Sequence, residues 1–376
     1  MSRISVLAFI DWYKPGNKSG GTVTAFSNFV ENLEDKIDFK IVTRDRDFSE
    51  KKPYGDIVSN KWIRRDSTKI IYLSENKINI FEIYKIIKNE NYNFLYLNGL
   101  FSFYFSVFPL LFSKNFSKKI VNSHGMLSSQ AFSQKKYKKK IFFFIMNLFS
   151  MYRNVIFHVA NKEELIDVNK IIRKKIEVKI ARQFPRKINW QIKNIKPKNK
   201  IKKYICLSRI SYEKGIHLMI KSLNYVTNNI VLNIYGPIHD QSYWTLCQNY
   251  INDLPENITV NYKGLINSDD VMNTIRNYDF SVLFSYGENF GHSILESFAA
   301  GTPVLTSKNT PWNDLELKKI GWNVDLDIKK IGCLIQKTSN LNYIRIKEMS
   351  DYCFIFAKKY CLNKNLIQQN LKLFYD

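Results

Sequence analysis

The chain of 376 residues is long enough for two or three ordinary domains, and an apolar fraction of 45% excludes wholesale disorder. Its 57 Lys+Arg against 33 Asp+Glu give a net charge of +24. The five cysteines (Cys206, Cys247, Cys333, Cys353, Cys361) are odd in number and lack a C-x-x-C pair. A disulfide framework or zinc module is therefore not expected, and a reducing cytosol is the simplest compartment.

In chain order, the opening run Ile4–Ile10 reads as a first core strand and not a signal core, because Asp11 follows at once with no small-residue cleavage site. Further strands are predicted near Phe39–Thr43, Phe94–Leu97, Lys119–Asn122 and Val155–Val159. Residues 91–113 carry no formal charge, yet Asn98, Gly99 and Pro109 interrupt them. They read as a buried strand, a turn and a short apolar helix instead of a membrane span. Residues 186–203, rich in Lys, Asn and Pro, read as a linker.

The second half alternates more clearly. Strands are predicted at Tyr204–Leu207, Ile230–Tyr235, Ile258–Tyr262, Phe280–Phe284 and Pro303–Thr306. Helices are predicted at Gly215–Val226, Ser242–Leu254, Ser268–Tyr278 (opened by a Ser cap) and His292–Ala300, with a helical tail after Asn342. Short apolar strands alternating with helices predict two α/β domains built on doubly wound parallel sheets, facing each other across a cleft. The expected bounds are 1–195, 196–355 and a helical tail at 356–376.

Charge is unevenly divided. Residues 1–200 carry a net +21 and residues 201–376 only +3, and there is no acid between Glu90 and Glu163. Within that gap Lys135, Lys136, Lys138, Lys139 and Lys140 adjoin Ile141-Phe-Phe-Phe-Ile-Met-Asn-Leu148. Basic residues beside apolar ones fit an anionic membrane surface. A solvated helix face and a nucleic-acid patch are the competing readings.

The sharpest local feature runs from Ser285 to Val304. A core strand ends, Gly287 and Gly291 open a loop, and a helix begins, which is where ligands bind in a doubly wound sheet. Glu288 and Glu296 lie there as acceptors for hydroxyl groups, against the bland reading of two solvated glutamates. Ser208-Arg209-Ile-Ser-Tyr-Glu-Lys214-Gly215 places two cations just after another strand, able to neutralise a diphosphate. Gly16-Asn-Lys-Ser-Gly20-Gly21-Thr22 follows the first strand, so its backbone can approach phosphate closely. Asn122-Ser-His124-Gly125 ends a further strand.

Together these resemble the retaining nucleotide-sugar glycosyltransferases of family 4, which have the two-domain GT-B fold, and the resemblance implies that the helical tail at 356–376 crosses back to the first domain. Glu288 and Glu296 match that family's E-x7-E spacing, and Arg209/Lys214, Gly20-Gly21 and His124-Gly125 fall in the expected order. The string Glu-Asn-Phe-Gly-His-Ser-Ile-Leu-Glu looks most like enzymes building bacterial O-antigen or capsule chains. The resemblance implies that Glu296 holds the donor ribose, Arg209 and Lys214 its diphosphate, and Gly20-Gly21 closes from the other domain. Glu288, Asn289, Phe290 and Gly291 would hold the transferred sugar, His124 would contact it near the reacting carbon, and Gly264-Leu265 would border the base. Retention in such enzymes is assigned to front-face internal return, in which the leaving phosphate helps deprotonate the acceptor.

The resemblance further implies a UDP- or GDP-sugar donor, a polyprenyl-diphosphate-linked glycan acceptor, and a peripheral place on the inner face of the cytoplasmic membrane. No cofactor, metal or nucleic acid is expected. Asp45-Arg-Asp47 and Asp325-Leu-Asp327 imitate a metal-binding D-x-D motif outside its usual context, and Arg182-Gln-Phe-Pro185 departs from the family's Pro-Asn-Gly. Two alternatives remain at this point: a non-catalytic polyanion or nucleic-acid binder, and a soluble transferase acting on a free sugar or sugar phosphate.

Overall fold

The structure is a computed structural model, and it describes every residue except 1–2, 17, 114–117, 129–130, 133–135, 173–175, 189, 191–200 and 376. The chain divides into two compact units, Met1–Lys187 with Asn363–Asp376, and Ile188–Leu362, against the sequence expectation of 195/196 and 355/356. Ile188 and Trp190 belong with the second unit because they pack against its core.

The first unit is built on an eight-stranded sheet in the order β3-β4-β2-β1-β5-β6-β7-β8. The strands are β1 (Ile4–Phe9), β2 (Ile37–Arg44), β3 (Trp62–Arg65), β4 (Thr68–Leu73), β5 (Phe94–Asn98), β6 (Lys118–Asn122), β7 (Val155–Val159) and β8 (Glu177–Ile180). All neighbours pair parallel except β3, which runs antiparallel to β4 at the edge. Side chains alternate across the pleat, so consecutive strand residues serve opposite layers. Leu7, Phe9, Leu95, Leu97, Val121 and Phe157 face one core. That core is closed by α2 (Ile80–Asn89), α3 (Phe108–Phe112), α4 (Lys136–Leu148) and α5 (Lys162–Ile171). On the opposite face, Tyr96 stacks against both Phe26 and Phe29 of α1 (Gly21–Leu33).

The second unit has a six-stranded, wholly parallel sheet in the order β11-β10-β9-β12-β13-β14. These are β9 (Lys202–Leu207), β10 (Ile230–Tyr235), β11 (Ile258–Tyr262), β12 (Phe280–Leu283), β13 (Val304–Ser307) and β14 (Gly321–Val324). The helices are α6 (Ile216–Ser222), α7 (Gln241–Asn252), α8 (Val271–Ile275), α9 (His292–Ala299), α10 (Ile328–Ser339) and α11 (Tyr343–Cys361). Two expected helices are shorter than their patterns. The segment 268–278 opens with a 3-10 turn at Ser268–Asp270 before α8, with Asn267 and not Ser268 in the cap position and no side-chain capping bond. Residues after Ser222 tighten into a second 3-10 turn at Leu223–Tyr225. The predicted linker is ordered at its end, since Lys202 and Lys203 already pair with Ile230 and Val231; most of the remainder lies outside the described residues.

After α11 the chain returns to the first unit as α12 (Lys364–Leu371). Phe374 packs edge-on against Phe94 at 5.2 Å and touches Phe29. Asn370 Nδ2 donates to Arg182 O (2.9 Å), and Lys179 Nζ donates to Lys372 O (3.0 Å). The segment Arg182–Pro185, where the family pattern was lost, is a packed strut. Phe184 is buried and its carbonyl accepts from Asn28 Nδ2 (3.1 Å).

Candidate active site

The strand order reverses beside β1 in the first sheet and beside β9 in the second, and the loops after the strands flanking such a point form a crevice in this class of fold. In the second unit those loops follow β9 and β12, which are hydrogen-bonded neighbours. The topology thereby brings together two segments some 75 residues apart in sequence, as the Lys214–Glu288 contact shows (|i−j|=74).

Lys214 Nζ lies 2.5 Å from Glu288 Oε1, with both side chains nearly buried. Arg209 leans on Glu213 at 3.4 Å, and Ser211 Oγ donates to the same Glu213 oxygen at 2.7 Å. Burial opposes ionisation of Glu213. The Ser211 hydroxyl, the residue's own backbone amide, and the Arg209 and Lys214 charges outweigh it and hold the carboxyl below its ordinary range. The two loops are stitched by Tyr286 N donating to Glu213 O (2.9 Å) and Ser285 Oγ donating to the same carbonyl (2.9 Å).

Glycine is required where these loops cross. Gly215 has φ +65°, and a Cβ there would sit 2.1 Å from Phe284 O. Gly291 (φ +77°) starts α9, and Phe290 O accepts the indole N–H of Trp312. Glu296, on the second turn of α9, is 8% exposed. Gly264 (φ +74°) accepts from Gly236 N (2.8 Å), leaving Leu265 half exposed beside it. Arg209, Lys214, Glu288, Asn289, Phe290, Gly291, Glu296, Gly264 and Leu265 thus all belong to the second unit. Sequence reading missed the aromatic backing of this site. Tyr212 lies parallel to Tyr286 (5.5 Å) and to His217 (4.7 Å), and the His217 ring shares a 2.9 Å hydrogen bond with Tyr243 Oη.

Gly20, Gly21 and His124 belong to the first unit. Gly20 takes φ +79° and caps α1, while a Cβ on Gly21 would meet open space. His124 holds a left-handed φ of +46°. Its amide donates to Asn122 Oδ1 (3.1 Å), and its Nε2 lies 3.2 Å from Asn98 Oδ1. Register explains this cluster: Asn98 pairs with Asn122 and Asn122 with His158, abreast on β5, β6 and β7. His158 Nε2 donates to Ala181 O (2.9 Å), so its Nδ1 accepts from Tyr96 Oη (2.6 Å). Burial drives the pKa of this imidazole down to about 4 against a weaker opposing effect of that carbonyl. Beneath the His124 turn, the buried Glu164 accepts from Ser123 Oγ (2.7 Å), Gly125 N (2.6 Å) and Ala160 N (2.7 Å).

The D-x-D look-alikes have structural work. Asp45 binds Arg46 Nε (2.9 Å) and Ser59 Oγ (2.8 Å); Asp325 bridges Lys308 and Lys330, and Asp327 caps α10. Of the five lysines, Lys135 lies outside the described residues. Lys136, Lys138 and Lys140 are exposed. Lys139 turns inward to Ala131 O and lies over the rings of Phe101 and Phe132.

Comparison with known proteins finds relatives for part of the second unit. Residues 188–318 match the family "Glycosyl transferases group 1". That stretch resembles a glycosyltransferase domain. An uncharacterized glycosyltransferase of Methanocaldococcus jannaschii, MJ1607, is 28% identical over 139 residues, 35% of this chain, and the match spans about a third (33%) of that relative's length. The whole architecture aligns with sucrose-phosphate synthase from Thermosynechococcus elongatus at a TM-score of 0.71 and 15% identity, covering 100% of this chain and 98% of the other. Anabaena HepE, solved with UDP-glucose, aligns at 0.70 and 14% identity, covering 99% and 98%. The fold of the chain is GT-B.

Proposed function

We propose that the protein is a retaining, metal-independent glycosyltransferase that moves a hexosyl unit from a UDP- or GDP-sugar to a polyprenyl-diphosphate-linked glycan. The observation that carries the reading is the convergence of Arg209, Lys214 and Glu288 at the reversal point of the second sheet, inside the matched domain. Two cations there stabilise the charge that develops on a departing nucleoside diphosphate, and no protein nucleophile is called for. Glu288 holds Lys214 in place and, with Asn289, Phe290 and Gly291 leading into α9, takes the sugar hydroxyls. Glu296 takes the ribose hydroxyls, and Gly264-Leu265 borders the base. In the first unit Gly20-Gly21 is assigned to phosphate and His124 to the sugar. HepE's complex with UDP-glucose supports a uridine donor.

The acceptor reading draws on the motif resemblance to O-antigen and capsule enzymes and on the basic first unit, which we place at the inner face of the cytoplasmic membrane. A soluble transferase acting on a sugar phosphate is the second reading, favoured by the likeness to sucrose-phosphate synthase. Incubation with labelled UDP- and GDP-hexoses, with either a membrane lipid fraction or free sugar phosphates, separates them. Label entering the lipid fraction at the same rate with and without EDTA is expected; label entering only the soluble products refutes the lipid acceptor.

A further inference from the structure

Helix α4 has two apolar faces where an ordinary surface helix has one. Phe143 and Met146 are buried in the first unit's core. On the other side Tyr137, Ile141, Phe144 and Leu148 are 81%, 61%, 69% and 65% exposed. Their spacing of 4, 3 and 4 residues puts all four within roughly 60° of one another around the helix axis. Lys138 flanks this stripe on one side, Lys136 and Lys140 on the other, and all three are exposed. The anchored face fixes the orientation, so the outward stripe is a rigid feature of the fold.

We propose that α4 lies in the plane of an anionic bilayer, with Tyr137, Ile141, Phe144 and Leu148 among the acyl chains and Lys136, Lys138 and Lys140 at the level of the lipid phosphates. This rests on the membrane reading above and changes its physics: apolar insertion anchors the protein, and the lysines set the preference for anionic lipid. Charge decides between occupants. A second copy docked through this stripe would set lysines against lysines, whereas a phosphate-rich surface with an apolar layer behind it matches both parts of the pattern. A polynucleotide offers phosphates but nothing to cover four exposed apolar side chains.

The test is sedimentation with phosphatidylcholine vesicles, with and without phosphatidylglycerol, at low and high salt. Phe144→Ser combined with Leu148→Ser is expected to weaken partitioning about hundredfold at both salt levels, about tenfold per buried side chain. Lys136→Gln, Lys138→Gln and Lys140→Gln together are expected to weaken it only at low salt and only on anionic vesicles. Because the substituted side chains are solvent-exposed, the variants should melt at the wild-type temperature, which separates lost anchoring from lost folding. If the Ser variant binds like wild type while salt alone releases the protein, adsorption is electrostatic; the membrane reading then stands and the insertion falls. Failure of the wild type to bind either vesicle overturns both. A dimer that the Ser variant dissociates, seen by light scattering, assigns the stripe to a second copy and also overturns the proposal.

Discussion

His158 gives the first unit a defined sensitivity to acid. The ring is wholly buried, and both nitrogens are committed: Nε2 to Ala181 O, Nδ1 to Tyr96 Oη. Its pKa falls from 6.5 to about 4 on folding. Between those values the unfolded chain binds a proton that the folded chain does not, so stability falls as pH falls. The contribution is present in full above pH 6.5 and has gone by about pH 4. A gap of about 2.5 pH units at about 1.4 kcal/mol each amounts to about 3 kcal/mol. For a unit of this size that lowers Tm by about 6–12 °C across the window. The perturbation is His158→Gln, which keeps an amide donor for Ala181 O and titrates nothing. The assay is thermal unfolding of the first unit at intervals from pH 7.5 to 4. The variant is expected to start less stable and to lose about 3 kcal/mol less than wild type on acidification. Curves that run parallel through the window would refute the reasoning, because they would mean the ring is protonated in the folded state or released to solvent.

Two glycines are expected to behave oppositely. Gly215→Ala forces a Cβ to 2.1 Å from Phe284 O at a left-handed φ, so it should destabilise the second unit by about 1–3 kcal/mol and displace Lys214 from Glu288. A wild-type melting temperature would show that the β9 and β12 loops do not cross so closely. Gly21→Ala meets open space at the first helical position of α1, so it should raise stability by up to about 1 kcal/mol. If donor affinity falls in that stable variant, the backbone at Gly21 approaches phosphate; unchanged affinity removes Gly21 from the site.

The parts of the molecule visible in the sequence are those written locally. The second sheet was legible because its strands are short apolar runs separated by helices, and Arg209, Lys214, Glu288 and Glu296 stood out as candidates because their spacing is linear. The elements that escaped carry mixed patterns. Trp62–Arg65 and Thr68–Leu73 interleave Arg and Lys with apolar residues as an edge hairpin does, and Gly321–Val324 is short and holds Asn323. The polar cluster of Tyr96, Asn98, Asn122 and His158 is a product of parallel register between strands, with Tyr96 and His158 62 residues apart, which no one-dimensional pattern records. Nothing in the sequence singles out Glu164, and only the fold shows three donors converging on it. The exposed stripe on α4 has the same origin. A run of apolar residues reveals its amount of hydrophobic surface, and packing decides which of them stay outside.

The central claim is that the second unit binds a nucleoside diphosphate sugar through the loops after β9 and β12. Calorimetric titration with UDP, GDP, ADP and their common sugar conjugates, in wild type and in Glu296→Gln, tests it most directly. The account predicts that one nucleotide binds selectively and that the variant, which loses charge-assisted hydrogen bonds to the ribose, binds it about tenfold to a hundredfold more weakly. Heat from none of these nucleotides in the wild type, or equal affinity in the variant, would contradict it.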